Sequence, residues 1–192
     1  MGNSAAKSLP EIFSGGLSPC EHFMQLYDGD EALLGLLTTY VDDGLCGGEA
    51  AVVIATQEHL DALGERLVAR GHDLVAARWL GNYLPLVAEA VLAQFMVTGG
   101  VDEERFLEVV GNIIRSARRA GARGIRGFGE MVALLWAQGR YQETVTVERL
   151  WNRLCREESI AVFCAYPLAG FATEDADPIR HVCAAHSRLV MG

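Results

Sequence analysis

The sequence predicts an α/β protein in which a mostly parallel sheet carries helices on both faces. Strand-like and helix-like segments alternate along the 192 residues. The segments between strands are long enough to contain a helix, which parallel strands require. The run AAVVIAT (50–56) is short, continuously apolar and partly β-branched, as in a strand buried on both faces of a parallel sheet. We therefore expect a three-layer architecture.

The predicted strands are short apolar runs bounded by turn residues. They lie at 22–27, 50–56, 72–76, 82–87, 124–131 and 159–166. In the fifth of these strands, GIRGFGEM, the glycines indicate close contacts between the backbone and neighbouring elements.

The predicted helices repeat apolar residues at helical spacing and follow residues that favour helix N-termini. They lie at about 30–45, 57–70, 89–96 and 103–117, as a pair within 131–157, and from 177 onward. We expect Asp28 or Asp30, Thr56, Asp102 and Asp177 to cap the helices that they precede.

The chain is long enough for one domain with its own hydrophobic core. We expect a flexible lead-in over 1–19 and a single domain over 20–192. Five cysteines without a C-x-x-C pair indicate free thiols and a cytoplasmic protein. No apolar run reaches the roughly 20 residues that a membrane helix needs, so we expect no membrane partner.

The formal net charge of −9 argues against direct binding of nucleic acid, because phosphate neutralisation requires a basic face. Five arginines nevertheless cluster near the end of a predicted helix: Arg115, Arg118, Arg119, Arg123 and Arg126. Cations are favoured near a helix C-terminus, which explains such a cluster as ordinary surface. An anion site or a partner-docking patch is the alternative.

The segment at 22–58 allows a comparison with known families. It contains a strand, a helix, a turn at Leu45 and Gly47-Gly48-Glu49, and a second apolar strand that ends at Thr56. In this order it resembles the opening of a KaiC-type, RecA-like ATPase domain. The resemblance fails at the P-loop, because Tyr27-Asp28-Gly29-Asp30-Glu31 replaces G-x-x-x-x-G-K-[ST].

A KaiC-like domain without its Walker motif is similar to the MEDS domain, the methanogen/methylotroph sensory domain named after the DcmR regulator. Further matching features are His22 at the start of the first strand, Glu130 in GFGEM, Tyr166 at the end of the last clear strand and His186 in a late helix. The resemblance covers about residues 20–190. It implies a non-catalytic sensory module of bacterial or archaeal signalling that detects small hydrocarbon-derived molecules.

The loop at 27–31 predicts what this site does not bind. A P-loop surrounds phosphate oxygens with backbone N–H groups and a lysine, whereas Asp28, Asp30 and Glu31 would repel a triphosphate. We expect these acids to serve as helix caps and standard ATP binding to be absent. A divergent nucleotide-binding protein or ATPase-like enzyme that uses the same cleft with other residues is the alternative.

Ligands of open α/β sheets bind beyond the carboxyl ends of the strands. The candidate residues at those ends are Tyr27, Asp28, Thr56, Glu130 and Tyr166. We expect Glu130 to bind a polar group of the ligand, to pair with Arg126 or another arginine, or to cap the next helix. The resemblance adds His22 and His186, and together with Arg126 these residues form the candidate ligand-binding set.

The sequence predicts neither a metal site nor a catalytic centre. Cys20 with His22, and Cys183 with His186, offer only two ligands each. Cys164 lies in an apolar strand, where a thiol is usually unreactive, and the chain has no G-x-S-x-G motif. We expect no metal, no cofactor and no enzymatic activity.

A sensory module must pass its signal on, and we expect it to do so through a signalling partner or through a change of oligomer, such as a homo-oligomer. The ligand itself is a small molecule whose identity the sequence does not give. Two docking surfaces are predicted, the arginine-rich helix end and an exposed face of the helix at 143–157. The second consists of Glu148, Arg149, Asn152, Arg153 and Glu157.

Overall fold

The computed structural model describes residues 20–171 and 176–191, so the predicted lead-in at 1–19 lies outside the described residues. The strands are β1 (His22–Tyr27), β2 (Ala50–Ala55), β3 (Tyr83–Val87), β4 (Met96–Val97), β5 (Gly100–Val101), β6 (Ile125–Gly129), β7 (Ala161–Pro167) and β8 (Arg188–Met191). The helices are α1 (Asp30–Cys46), α2 (Gln57–Ala69), α3 (Leu74–Trp79), α4 (Ala88–Phe95), α5 (Glu103–Arg119), α6 (Met131–Ala137), α7 (Tyr141–Glu158), α8 (Leu168–Phe171) and α9 (Ala176–Ala185).

Six strands form one sheet in the order β3-β2-β6-β7-β1-β8, and every neighbouring pair is parallel. The strands β4 and β5 form a separate antiparallel hairpin. Because the six strands run in one direction, their carboxyl ends meet at a single edge, which we call the carboxyl edge. The predicted parallel sheet with helices on both faces is confirmed.

The sheet separates two hydrophobic cores, because alternate side chains of each strand point to opposite faces. Phe23 enters the core beneath α1 and α2, and its neighbour Met24 enters the core beneath α4–α7 and α9. Helix α7 contributes its predicted inward residues Val147, Leu150, Trp151 and Leu154, all of them buried. Burying an aliphatic side chain of this size stabilises the fold by about 1.5–3 kcal/mol.

Capping side chains start two helices as predicted. Thr56 Oγ1 accepts a hydrogen bond from the His59 N–H at 3.3 Å at the start of α2. Asp102 Oδ1 accepts one from the Arg105 N–H at 3.0 Å at the start of α5. A cap of this kind contributes about 1 kcal/mol. The side chain of Asp177, another predicted cap, lies outside the described part of the chain.

Helix α1 begins without a side-chain cap, so the predicted cap by Asp28 or Asp30 is wrong. Its cap residue is Gly29, and Asp30 is already the first helical residue. The φ angle of Gly29 is +78°, which side-chain-bearing residues rarely adopt. Asp30 and Glu31 instead favour the helix through its dipole, and Glu31 also forms an ion pair with Arg66.

The strand predicted at 72–76 is also wrong, because these residues lead into α3. Asp73 caps this helix by accepting a hydrogen bond from the Ala76 N–H at 2.9 Å. A short apolar run does not by itself distinguish a strand from a helix, and here the cap favours the helix. The structure further adds the hairpin β4–β5 and the edge strand β8, which the sequence did not predict.

The five cysteines are unpaired, as their number and spacing predicted. Cys155 and Cys164 are buried, whereas Cys20, Cys46 and Cys183 are exposed. Within the described residues, the structure contains no helix that is both long and apolar enough to cross a membrane.

Candidate functional site

Five polar side chains meet at the carboxyl edge, and we call them the edge cluster: Tyr27, Asp30, Thr56, His59 and Glu130. Glu130 is at its centre and is 4% exposed. One carboxylate oxygen accepts the Thr56 backbone N–H at 2.9 Å, and the other lies 2.8 Å from His59 Nδ1. On the opposite side of its ring, His59 Nε2 lies 3.6 Å from Asp30 Oδ1.

The backbone explains why these residues meet. Strands β2 and β6 are neighbours, and the Glu130 N–H continues their ladder by donating to the Ile54 carbonyl at 2.9 Å. Thr56 follows β2 and caps α2, which brings His59 into the first turn of that helix. Strand end and helix start therefore hold Glu130 and His59 against each other.

Charge perturbs the titration of this cluster. The hydrogen bond to the Glu130 carboxylate raises the pKa of His59 above its ordinary value, although partial burial opposes the shift. Burial, followed by the negative charges of Glu130 and Asp30, raises the pKa of Tyr27 well above that of a free phenol. The cluster is thus one imidazole held between carboxylates, beside a tyrosine that remains protonated.

Arg126 lies away from the edge cluster, and the predicted pairing with Glu130 is wrong. Arg126 is the second residue of β6, and its Nε lies 2.5 Å from Glu49 Oε2. It also donates to the Tyr40 carbonyl at 2.9 Å. Since Glu130 lies beyond the other end of the strand, its partner is His59. Asp28, another candidate, is exposed on the loop before α1.

A second set of polar side chains lies inside the core between the sheet and α7. We call it the buried cluster: His22, Glu148, Cys164, Tyr166 and His186. Glu148 Oε2 lies 3.3 Å from His22 Nε2 and 3.3 Å from His186 Nε2, and Tyr166 donates its hydroxyl to Glu148 Oε1. Cys164 Sγ lies 3.5 Å from Glu148 Oε2.

Burial and charge oppose each other in this cluster. Burial alone would raise the pKa of Glu148, but the two imidazoles hold it below its usual range. Burial would likewise lower the pKa of His186, and the Glu148 carboxylate outweighs it and raises that pKa. Burial raises the pKa of the Cys164 thiol and of the Tyr166 hydroxyl, each reinforced by Glu148.

Six of the eight candidate ligand-binding residues divide between these two clusters, and Asp28 and Arg126 lie in neither. Tyr27 and Thr56 lie in the edge cluster with Glu130. His22, Tyr166 and His186 lie in the buried cluster, although Tyr166 had been placed with the edge residues. The Tyr166 hydroxyl turns into the core because α7 provides an acceptor there.

The second predicted docking surface is not a continuous exposed face, because Glu148 is completely buried. Arg149 is exposed and pairs with Glu103 at 3.0 Å. Arg153 and Glu157 pair with each other at 2.6 Å. The remaining member, Asn152, faces His22 with its side-chain oxygen.

Three arginines of the arginine-rich helix end contact groups within the chain. Arg115 pairs with Glu158 at 2.9 Å, and Arg118 donates to the Glu158 carbonyl. Arg126 pairs with Glu49 as described above. These contacts favour the structural explanation of the cluster over an anion site.

Sequence reasoning missed His59 and misplaced Glu148. The signal for His59 was its position three residues after a predicted cap, which places it in the first helical turn beside the strand end. The signal for Glu148 was its spacing, because Thr144, Glu148, Trp151 and Cys155 recur at helical intervals and all are buried.

The chain matches one known protein family by sequence and resembles known structures in its fold. A family model described as MEDS, the methanogen/methylotroph, DcmR sensory domain, matches residues 21–187. Among solved structures, the chain is similar to the KaiC-like protein PH0186 of the hyperthermophilic archaeon Pyrococcus horikoshii OT3, with 12% identity and a TM-score of 0.60 over 94% of this chain and 76% of that chain. It is also similar to PH0250 of the same organism, with 12% identity and a TM-score of 0.59 over 95% of this chain and 86% of that chain.

At 12% identity the two structural likenesses concern the fold alone, and they confirm the KaiC-like α/β architecture. No curated protein matches the sequence.

Proposed function

This chain belongs to the MEDS family of sensory domains, and from that premise we propose that it binds a small molecule, such as a hydrocarbon derivative, at its carboxyl edge. Family membership indicates a sensory role rather than an enzymatic one. The change at the site is passed to a signalling partner or to another copy of the chain.

The observation that carries this proposal is the His59–Glu130 pair at the carboxyl ends of β2 and β6. Crevices at this edge are where open α/β sheets bind ligands. The pair is buried beside an exposed acidic loop, and hydrogen bonds hold its polar groups in fixed positions. Fixed, partly desolvated donors and acceptors of this kind orient small ligands.

The chemistry of the edge cluster favours a neutral or cationic ligand. Glu130 and Asp30 supply negative charge on the two sides of His59, and the hydroxyl groups of Thr56 and Tyr27 lie in the same cluster. The ring of Tyr27 packs in the apolar core beneath α1 and α2, so the cluster borders apolar side chains, which suits a hydrocarbon derivative with one polar group. A phosphate would meet these carboxylates without the lysine that a P-loop provides.

Helix α2 offers a route for the signal out of the site. It begins at Thr56 and carries His59, so a ligand that breaks the 2.8 Å contact between His59 and Glu130 acts directly on the start of this helix. Two turns further along the same face of α2, Arg66 forms an ion pair with Glu31 that ties α2 to α1. Movement of α2 against α1 would change the surface that a partner meets.

The experiment has two parts. A native mass spectrum of the purified protein shows whether a discrete extra mass is bound and lost on denaturation, and it gives the oligomer. Short-chain alcohols, amines and halogenated alkanes are then tested for their effect on Tm in the wild type, in Glu130→Gln and in a control, Glu65→Gln, which changes an exposed acid of α2.

We expect at least one compound class to raise the Tm of the wild type and of the control but not that of Glu130→Gln. A Tm increase that Glu130→Gln retains would place the ligand elsewhere. If no compound class changed the Tm and the native mass spectrum showed no bound molecule, the proposal would be contradicted. A protein-interaction module would then be favoured.

The alternative is a divergent nucleotide-binding protein that uses the same cleft. Gly29 at positive φ and the uncapped first turn of α1 favour it, because free backbone N–H groups at a helix start attract phosphate. Titration with ATP in the presence and absence of Mg²⁺ decides between the two. Magnesium-dependent binding of ATP would support the nucleotide-binding hypothesis, especially if Asp30→Asn increased the affinity.

A further inference from the structure

Four potential metal ligands converge in the buried cluster from four separate elements. His22 begins β1, Cys164 lies in β7, Glu148 lies in α7 and His186 directly follows α9. One donor atom from each of them lies within 4.8 Å of the other three. The side chains of His22, Glu148 and His186 are at most 1% exposed, and Cys164 is fully buried.

Four of the six distances among these atoms match a tetrahedral site, and all six are within 4.8 Å. Zinc binds nitrogen, oxygen and sulfur at about 2.0–2.3 Å, which places neighbouring tetrahedral ligands about 3.3–3.8 Å apart. Glu148 Oε2 lies 3.3 Å from each histidine Nε2. Cys164 Sγ lies 3.3 Å from His22 Nε2 and 3.5 Å from Glu148 Oε2.

Hydrogen bonds from the other ring nitrogen of each histidine turn its Nε2 toward the centre of the buried cluster. His186 Nδ1 donates to the Val182 carbonyl at 2.7 Å, which leaves the lone pair of Nε2 on the inner side. Asn152 donates through its amide nitrogen to the Ala185 carbonyl, so its oxygen accepts the Nδ1–H of His22 at 3.2 Å. Metal-binding histidines almost always donate their other N–H in this way.

Glu148 is oriented by the same principle. The Tyr166 hydroxyl donates to Oε1, and Oε2 remains directed toward the two imidazoles and the thiol. His186 Nε2 is buried and, among the described residues, has no hydrogen bond of acceptable geometry. Its contact there is the Glu148 carboxylate at 3.3 Å, so a cation bound between the two would be ligated by both atoms.

We propose that His22, Glu148, Cys164 and His186 form a closed tetrahedral site for Zn²⁺ or a similar divalent transition-metal ion. Binding displaces the thiol proton of Cys164 to solvent, and the thiolate and the Glu148 carboxylate then neutralise the two charges of the ion. Because protein atoms fill all four positions, the ion has a structural role.

The site ties the C-terminal segment to the first strand. Strand β8 pairs with β1, and the Ser187 N–H donates to the His22 carbonyl at 2.6 Å. An ion held between His22 and His186 strengthens this junction and couples metal binding to the stability of the fold.

From spacing alone, Cys20 and Cys183 are the cysteines nearest to His22 and His186 in the sequence. Cys20 and Cys183 are both exposed, whereas the thiol that reaches the histidines comes from β7. A separate set, Asp42, Cys46 and His72, also lies close enough to share an ion. Its carboxylate already pairs with Arg70 and His72, and Cys46 is exposed, so this set provides a control.

The test measures metal in the full chain as purified, after removal with a chelator, and after reconstitution with Zn²⁺ or Co²⁺. Cobalt is the informative probe, because tetrahedral Co²⁺ absorbs in the visible and a bound thiolate adds a charge-transfer band in the near ultraviolet. We expect one ion per chain, a thiolate–cobalt band, and a Tm that falls when the ion is removed.

Variants identify the ligands. Cys164→Ser should abolish the charge-transfer band, while Cys46→Ser and Cys183→Ser should retain it. Asn152→Leu removes only an outer partner, and we expect it to weaken Co²⁺ binding by about 10–100-fold while it keeps the band.

Three results would overturn the proposal. They are a metal content well below one ion per chain after reconstitution, the absence of a charge-transfer band in the wild type, and the loss of that band in Cys46→Ser. If Cys164→Ser does not fold, the band in the wild type and its survival in the Cys46→Ser and Cys183→Ser controls still decide the question. A metal-free result would mean that Glu148 is held in the core by its contacts with His22, His186 and Tyr166 alone.

Discussion

Gly129, the last residue of β6, lies directly against the indole ring of Trp151 in α7. A Cβ atom added to Gly129 would lie 3.0 Å from Trp151 Nε1 and 3.1 Å from Cζ2. Trp151 is among the largest fully buried side chains of the protein, so it has little room to move. The absence of a side chain at Gly129 therefore sets how closely α7 packs on the sheet.

We expect Gly129→Ala to lower the free energy of unfolding by about 1–3 kcal/mol, because the added methyl group overpacks the core. Gly35→Ala is the matched control, since Gly35 lies in α1, is exposed and would bring its Cβ within 4 Å of nothing. Replacing a glycine inside a helix with alanine stabilises by about 0.5–1 kcal/mol. Urea unfolding measures both, and equal effects of the two changes would contradict the packing argument.

The fold could be predicted because the sequence repeats one signal many times. Each apolar run followed by a capping residue and a helical stripe specifies a strand and the helix that covers it, as for Ala50–Ala55, Thr56 and α2. The run after Asp73 was misread because its few apolar residues fit either element. Strand β8 was missed because its partner β1 is distant in sequence.

The candidate site could be predicted only in part, because contacts between residues distant in sequence place some of its members. Residues at strand ends follow from the rule for parallel sheets, which identified Tyr27, Thr56 and Glu130. The partner of Glu130 lies inside a helix, and no local pattern says which way His59 points. Glu148 was assigned to the surface because a charged residue usually lies there, whereas two histidines distant in sequence surround it.

The His59–Glu130 hydrogen bond predicts a pH dependence of stability. Glu130 raises the pKa of His59 in the folded protein, so the pair's full contribution is present below the unfolded pKa of about 6.5. It is lost as the pH rises through the folded pKa. A charge-assisted hydrogen bond of this kind contributes about 1.5–3 kcal/mol.

We therefore expect His59→Gln to cost about 1–2 kcal/mol near pH 6 and clearly less near pH 9. Urea unfolding of the wild type and the variant across this range gives the difference at each pH. Glu130→Gln should show the same trend, because it removes the other half of the pair. A difference that stays constant with pH would show that His59 is not protonated in the folded protein at neutral pH.

The ion pair between Arg126 and Glu49 predicts a larger effect than the surface pairs. Arg126 is 4% exposed, and besides Glu49 its guanidinium contacts the Tyr40 carbonyl and lies over the Tyr40 ring at 5.3 Å from the centroid. Removing one partner of a buried pair costs about 3–5 kcal/mol, and the partial exposure of Glu49 places this pair near the lower end.

We expect Arg126→Met to destabilise the protein by roughly 3 kcal/mol. The control is Arg153→Met, because Arg153 forms an exposed i,i+4 pair with Glu157 that is worth about 0.3–0.5 kcal/mol. Denaturant unfolding of both variants at low and high salt provides the comparison. An equal loss in both would mean that Arg126 is solvated in solution.

Thiol labelling tests the burial of the core around α7 and β7. Cys20, Cys46 and Cys183 are exposed, and Cys155 and Cys164 are buried. Burial also raises the pKa of Cys155 to about 12, which leaves almost no reactive thiolate at neutral pH. An aromatic disulfide reagent should therefore label three thiols rapidly in the native protein and all five in denaturant. Cys46→Ser should reduce the native count to two, and a fourth rapid thiol in the wild type would mean that the core between α7 and β7 opens on the timescale of the reaction.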